Sequence, residues 1–121
     1  MHTVPLSNDD IITYHRGLAW TLEVAKWELI HMSAELRNRV LIASRTARPG
    51  QSMLSDPIEI DPTLRGMVRE AREKAEELAE ATGLTMGRCH FIWAKQAEIL
   101  LDEHGIRWFS PAHMNPSACF D

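Results

Sequence analysis

Residues 61–83 read DPTLRGMVREAREKAEELAEATG, and this stretch carries both ends of one helix. Asp61 and Pro62 supply an N-cap and a first-turn proline, and Gly83 supplies a C-terminal stop, which predicts a helix over residues 62–82. Apolar side chains recur on one face of this helix. The other face is charged, with oppositely charged pairs such as Arg69 and Glu73 four residues apart. We interpret this charged face as solvated, with no chemical role.

A second helix is predicted over residues 86–104, ending at Gly105. Its apolar residues cover much of the circumference, which is typical of a largely buried helix. They are Met86, Cys89, Phe91, Ile92, Trp93, Ala97, Ile99, Leu100 and Leu101.

On the N-terminal side, Ser7 offers a capping oxygen and is followed by Asp9 and Asp10. No proline then occurs before Pro49, and Gly17 is the only glycine in between, so a long N-terminal helix is predicted over residues 8–46. If straight, these 39 residues would extend about 58 Å. The sequence therefore predicts either a kink near Ser33 or a rod used for oligomerisation.

This N-terminal helix carries two apolar faces. A first seam, with spacings of four and three, consists of Ile11, His15, Leu18, Leu22, Ala25, Leu29, Met32 and Leu36. On the opposite side lie Trp20, Val24, Trp27, His31 and Ala34, with Leu41 trailing the same way. Since a surface helix needs one stripe only, the second face must meet the rest of this chain, another copy or a different partner.

Length and composition predict one all-α domain over residues 1–121, a small bundle of three main helices. Apolar residues make up 45% and charged residues 25% of the chain, as in soluble globular proteins. Residues 48–61 carry turn chemistry and are predicted as a loop. Residues 106–121 are predicted as a short irregular C-terminal appendage, with Ser110 and Pro111 capping a final turn. The aromatic residues and methionine of this tail form a second candidate contact, made of Trp108, Phe109, Met114 and Phe120.

The location predicted from the sequence is cytoplasmic. Cys89 and Cys119 are too few for a disulfide scaffold and are interpreted as reduced thiols. Residues 1–7 lack the features of a secretory signal, and no apolar run approaches the roughly 20 residues that span a bilayer. No membrane association is expected.

Residues 75–95 resemble a helix-turn-helix motif. Ala79, Gly83, Leu84 and Cys89 have the spacing at which such motifs place a close helix contact, a turn and a locking apolar residue. The resemblance implies DNA contacts by Thr85, Arg88 and Lys95. The region is acidic, however, and the net charge of −4 argues against nucleic acid, so a DNA-binding regulator is the alternative and not the leading function.

A metal-dependent helical enzyme is the third hypothesis. Glu28 and His31 have the Glu-x-x-His spacing of di-iron bundles, but no second copy exists in the sequence. Glutamates of residues 70–80 suggest magnesium sites but are interleaved with basic residues. His104, His113 and Cys119 lack zinc-ligand spacing, and the adjacent Cys89 and His90 point about 100° apart. We predict no catalytic residue, no metal and no cofactor.

The leading hypothesis is a non-enzymatic regulatory or assembly protein that acts by protein–protein interaction. Its contact surface consists of Trp20, Val24, Trp27 and His31, because buried aromatic residues dominate interface energetics. The partner is another protein or a second copy of the chain, with a symmetric dimer as the expected oligomer. The small size and aromatic content suit an accessory protein of a phage or mobile element.

Overall fold

The computed structural model describes residues 6–15, 21–48, 51, 53–116 and 118, and every regular element among them is helical. The α-helices are α1 (Asn8–His15), α2 (Leu22–His31), α3 (Ala34–Thr46), α4 (Arg65–Thr82), α5 (Arg88–His104) and α6 (Pro111–Met114), with a 3-10 helix at Pro57–Ile60 between α3 and α4. The all-α prediction is confirmed. The prediction of three main helices is too coarse, because the N-terminal region forms more than one helix.

The prediction of one helix over residues 8–46 is wrong. The chain leaves helical geometry at Met32 and Ser33, which are extended with ψ of 151° and 157°. Ser33 then caps α3, its hydroxyl accepting a hydrogen bond from the Leu36 amide at 3.1 Å. This satisfies one of the amides that a helix start leaves without a partner, so the chain breaks here instead of kinking. Leu18 and Trp20 lie outside the described residues.

The first three helices enclose one hydrophobic core. Its buried members come from all three and from the C-terminal segment: Ile11, Tyr14, Ala25, Leu29, Val40, Leu41, Ala43 and Met114. Inside this core the Tyr14 hydroxyl donates a hydrogen bond to Oε1 of the buried Glu28 at 3.0 Å. Burial and the adjacent Glu28 carboxylate raise the pKa of Tyr14. The N-terminal region therefore forms separate helices that fold back on one another, and not the straight rod that was one of the two predictions.

Helices α4 and α5 form an antiparallel hairpin that matches the predicted boundaries to within three residues. Gly83 and Gly105 end the two helices with φ of 69° and 64°, a left-handed conformation that glycine adopts without steric cost. Near the turn, Ala75 and Ala79 pack on Ile92. At the far end, the buried residues are Val68, Ala71, Leu100 and Trp108.

The C-terminal segment joins the two cores, which corrects the prediction of an irregular appendage. Trp108 is buried against the α4–α5 hairpin, whereas Met114 is buried among α1, α2 and α3. Ser110 caps α6 as predicted, accepting from the His113 amide. The predicted loop contributes too, since it contains the 3-10 helix and since Leu54 exchanges two hydrogen bonds of 2.8 Å with the Asn115 side chain.

One buried carboxylate organises this junction. The Asp56 side chain is fully buried and accepts hydrogen bonds from Arg39 Nη1 at 2.6 Å, the Phe109 amide at 2.9 Å and the Ile58 amide at 3.1 Å. Arg39 also donates to the Arg107 carbonyl at 3.0 Å. These bonds connect α3, the 3-10 helix and the C-terminal segment around a single charge.

Candidate functional site: an exposed face of helix α2

Helix α2 has one buried and one exposed side, and both contain apolar residues. Ala25 and Leu29 are fully buried on the inner side, together with Glu28. On the outer side the exposed fractions are 61% for Trp27, 52% for Ile30 and 39% for Val24. A monomeric protein usually faces solvent with polar side chains on the outer side of such a helix, so this surface is the strongest candidate contact in the described chain. We call Val24, Trp27, Ile30 and His31 the α2 face.

The aromatic part of the α2 face is held in place by its own helix. The rings of Trp27 and His31 stack with their centroids 4.2 Å apart. Nδ1 of His31 lies 2.7 Å from the Trp27 carbonyl oxygen. Because a carbonyl only accepts hydrogen bonds, Nδ1 carries the hydrogen of this bond. The indole is therefore positioned before any partner arrives.

Most of the predicted contact residues can be placed. Val24, Trp27 and His31 lie exposed on the outer side of α2, where the sequence left open whether this face is covered by the chain itself, and Trp20 lies outside the described residues. Ile30 belongs to the face but was absent from the prediction. Its position 60° around the helix from Trp27, at 100° per residue, was the signal for it.

Two predicted neighbours behave differently. Leu22 was assigned to the core seam, yet it is 49% exposed, because it stands at the first turn of α2, where the helix has not yet reached the core. Leu41 was predicted on the same side as the second face, further along the chain. It is buried in the first core, because it belongs to α3 and points inward after the break at Ser33.

The second predicted contact, in the C-terminal tail, is corrected by burial. Trp108 and Met114 are core residues, with exposed fractions of 5% and 0%, and cannot form an open contact in this fold. Phe109 is half-buried, and Arg39 lies over its ring at 5.4 Å. Phe120 lies outside the described residues.

The predicted helix-turn-helix lies within the antiparallel α4–α5 hairpin, whose two helices run alongside each other. Side chains of α4 and α5 meet near the turn, where Ala79 packs on Ile92, and again at the far end, where Gln96 Nε2 donates to the Val68 carbonyl at 3.3 Å. Helices of a helix-turn-helix cross at roughly 90–120° and so contact each other mainly near the turn. The geometry around residues 75–95 therefore differs from that motif.

The residues assigned to DNA in that alternative are exposed or half-buried and partly neutralised. Arg88 Nη2 lies 3.3 Å from Glu80 Oε2, and Lys95 Nζ lies 3.5 Å from Glu98 Oε2. Thr85 is exposed beside Met86 in the connection. Acidic partners on the same surface weaken attraction to phosphate, which normally supplies most of the affinity for DNA.

The metal-binding candidates do not converge. Glu28 is buried against Tyr14, whereas His31 is exposed and bonded to its own helix. In the part of the chain that the structure describes, no group of three or more His, Cys, Asp or Glu side chains is arranged to hold a metal ion. Cys119 lies outside that part.

Comparison with known protein families, with curated proteins and with solved structures finds no match to this chain. None of the helices within the described residues combines the length and the apolar character needed to cross a bilayer. The α2 face must therefore be interpreted from its own chemistry.

Proposed function

We propose that the protein is a non-enzymatic regulatory or assembly protein that acts by protein–protein contact, and that its α2 face pairs with the α2 face of a second copy. The observation that carries this proposal is the 61% exposure of Trp27 on a helix whose opposite side is fully buried. Tryptophan is among the residues most enriched at the energetic centres of interfaces.

The gain from covering Trp27 is large enough to drive association. A tryptophan side chain buries about 150–250 Å² in full, so covering its exposed part removes on the order of 100–150 Å² from water. At about 25 cal/mol per Å² this contributes about 2–4 kcal/mol per copy. The fixed position of the indole against His31 reduces the entropy lost on binding.

The order of side chains around Trp27 favours a symmetric pairing of antiparallel helices. The apolar Val24 and Ile30 lie three residues before and three residues after Trp27. Glu23 and His31 lie four residues before and four residues after it. With Trp27 on a twofold axis, Val24 of each copy meets Ile30 of the other, and the acidic Glu23 meets the basic His31. An isologous interface requires this kind of self-complementary surface.

The size of the surface sets the expected affinity. Helix α2 has ten residues and is about 15 Å long, so two such faces cover less than the roughly 1,200–2,000 Å² of a stable interface. We therefore expect a reversible dimer in the micromolar range. Light scattering after size-exclusion chromatography, over about 1–500 µM, should show the mass rising from one chain to two.

Matched variants test whether α2 is the contact. Ile30→Glu introduces a charge into the proposed interface, whereas Leu78→Glu introduces the same charge at a comparably exposed position on α4, 52% against 45%. We expect Ile30→Glu and Trp27→Ala to abolish the dimer without loss of helical circular dichroism. Leu78→Glu should leave the dimer intact. A dimer that resists both α2 variants, or a chain that stays monomeric throughout the series, would refute the proposed self-pairing.

The DNA-binding and metal-dependent alternatives stay predictions, and no observation in the described residues favours them over surface pairing. Affinity for DNA that falls steeply with salt and with neutralisation of Arg88 and Lys95 would support the first. Stoichiometric metal after purification without chelators would support the second.

A further inference from the structure

One ring nitrogen of His31, on the α2 face, has no hydrogen-bond partner within the described residues. Nδ1 lies 2.7 Å from the Trp27 carbonyl oxygen and donates to it, because a carbonyl oxygen only accepts. The ring also stacks on the Trp27 indole, with the two centroids 4.2 Å apart. Both contacts lie within α2 and hold the imidazole in one orientation. Nε2 is therefore the nitrogen that a partner can reach.

The charge on this ring decides what Nε2 can do. A neutral imidazole has one N–H group, which here is on Nδ1, so Nε2 presents a lone pair. An imidazolium has two N–H groups, so Nε2 becomes a donor while Nδ1 keeps its bond to the Trp27 carbonyl. The stack tolerates the added charge, because the face of an indole attracts cations. Protonation therefore changes Nε2 from an acceptor into a donor without any need to move the ring.

The self-pairing proposed above sets a carboxylate opposite this nitrogen. Glu23 and His31 are both exposed on α2. They lie about 40° to either side of Trp27 around the helix, one turn before it and one turn after it. A twofold axis at Trp27 exchanges both the two sides and the two directions, so Glu23 of one copy meets His31 of the other. Two such contacts form in each dimer.

The charged groups around α2 do not compete for this contact. Helix α1 packs on α2, and α3 follows it along the chain. The titratable and charged side chains of the three helices, apart from Tyr14, are Asp9, Asp10, His15, Glu23, Lys26, Glu28, His31, Glu35, Arg37, Arg39 and Arg45. Asp10 and Glu35 have arginine partners at 2.9 Å and 3.5 Å, and Glu28 is buried in the first core. Across the described part of the chain, no ion pair includes Glu23 or His31.

From this arrangement we infer that the self-pairing is regulated by pH, with protonation of His31 strengthening the dimer and deprotonation weakening it. The protonated ring donates from Nε2 to the Glu23 carboxylate of the other copy, and this hydrogen bond is charge-assisted. The neutral ring turns a lone pair toward the same carboxylate, which also only accepts. Because histidine ordinarily changes charge between pH 5 and 8, the dimer tightens as pH falls through this range. This inference rests on the proposed function, the self-pairing of the α2 face.

Sedimentation equilibrium of the full chain, from about pH 5.5 to 8.5 at constant ionic strength, tests the inference. A gain of about threefold from each of the two contacts should lower the dissociation constant by about tenfold at the acidic end. Circular dichroism at each pH establishes that the chain stays folded. A dissociation constant that is flat or rises on acidification would overturn the inference and leave the self-pairing standing. A chain that is monomeric at both ends of the range would overturn the self-pairing, and this inference with it.

Matched variants separate this contact from the general effect of net charge, which is −4 at pH 7 and becomes less negative on acidification. Glu23→Gln and His31→Gln each remove one partner of the contact, and should reduce the change in dissociation constant to less than about threefold. His104→Gln makes the same substitution at an exposed histidine at the end of α5, and should keep the tenfold change. Tightening of His31→Gln by as much as His104→Gln would overturn the inference.

A change of sign gives the sharpest test. Glu23→Lys places a cation opposite His31, so protonation should now weaken the dimer and the dissociation constant should rise on acidification. Glu73→Lys makes the same substitution at an exposed position on α4, and should keep the direction of the wild type. Thermal unfolding establishes that each variant is folded. Acidification that tightens Glu23→Lys as it tightens Glu73→Lys would overturn the inference, and the comparison of His31→Gln with His104→Gln decides if Glu23→Lys forms no dimer.

Discussion

Arg39 Nη1 lies 2.6 Å from Asp56 Oδ2, and the Asp56 side chain is completely buried while the Arg39 side chain is 19% exposed. The two residues are 17 positions apart and belong to α3 and to the cap of the 3-10 helix. Two backbone amides, of Ile58 and Phe109, complete the hydrogen bonds to the same carboxylate. This carboxylate is therefore the point at which the two cores are fixed to each other.

The first prediction concerns this pair. Asp56→Ala leaves Arg39 without its buried partner and two amides without an acceptor, and should lower the free energy of unfolding by about 3–5 kcal/mol. Urea unfolding followed by circular dichroism measures it. As a control, Arg45→Ala removes the exposed ion pair with Asp10, which should cost less than about 1 kcal/mol. Equal costs for the two variants would contradict a central role for Asp56.

The second prediction concerns the hydrogen bond in the first core. Tyr14→Phe removes the donor to Glu28 Oε1, and hydrogen bonds to charged groups contribute about 1.5–3 kcal/mol, so a loss of that size is expected in chemical denaturation. Glu28→Gln keeps an acceptor for the hydroxyl and should cost less. If Tyr14→Phe were neutral, the bond would make no net contribution to stability.

The third prediction concerns pH. Burial raises the pKa of Glu59, so the folded chain holds a proton on it more tightly than the unfolded chain does. When pH rises from the ordinary pKa of glutamate to the raised pKa of Glu59, the unfolded state loses the proton first. Glu59 therefore lowers the free energy of unfolding over that pH window. Glu59→Gln keeps an acceptor for Trp108 and removes this loss, so it should be more stable than the wild type near pH 7. The urea midpoints of the wild type and of Glu59→Gln, measured from pH 4 to 7, should differ near pH 7 and approach each other at the acidic end.

Asp10 provides the opposite sign as a control. Burial acts to raise its pKa, but hydrogen bonds from Arg45 and Ser7 lower it by more, so the net direction is downward. The stability that Asp10 contributes is present above its ordinary pKa and is lost as pH falls through the lowered value. Asp10→Asn should therefore lose stability at neutral pH, where Glu59→Gln gains it. A change in stability of the same sign in Asp10→Asn and Glu59→Gln would contradict the opposite pKa shifts of the two carboxyl groups.

Four helix ends were predictable because they depend on neighbouring residues, whereas the predicted cap of α4 at Asp61 was wrong, since α4 begins at Arg65 after Leu64 with no side-chain cap. Ser7, Gly83, Gly105 and Ser110 cap or stop their helices where the sequence predicts, since a hydroxyl or a glycine meets an amide or carbonyl only a few positions away. The break at Ser33 used the same chemistry. It was underestimated because neither proline nor glycine stands nearby, and serine also occurs inside helices.

The contacts between distant segments were not predictable from the sequence. Glu59 and Trp108 are 49 positions apart, and Leu54 and Asn115 are 61 apart. No periodicity encodes such pairs, so the C-terminal segment looked like a tail. Trp27 was identified because the second apolar face is a local pattern of the sequence, but that pattern did not decide whether the face is buried or exposed.

The last prediction tests whether the C-terminal segment is core or contact. Met114 is fully buried among the N-terminal helices, so Met114→Ala should leave a cavity and cost about 2–5 kcal/mol in urea unfolding. Met86 is 86% exposed in the α4–α5 connection, and Met86→Ala makes the same chemical change at a position where it should be within about 0.5 kcal/mol of neutral. The difference between the two methionines measures burial, because side-chain chemistry is held constant. If both substitutions were neutral, α6 would not be part of the core, and Met114 would return as a candidate for an open contact.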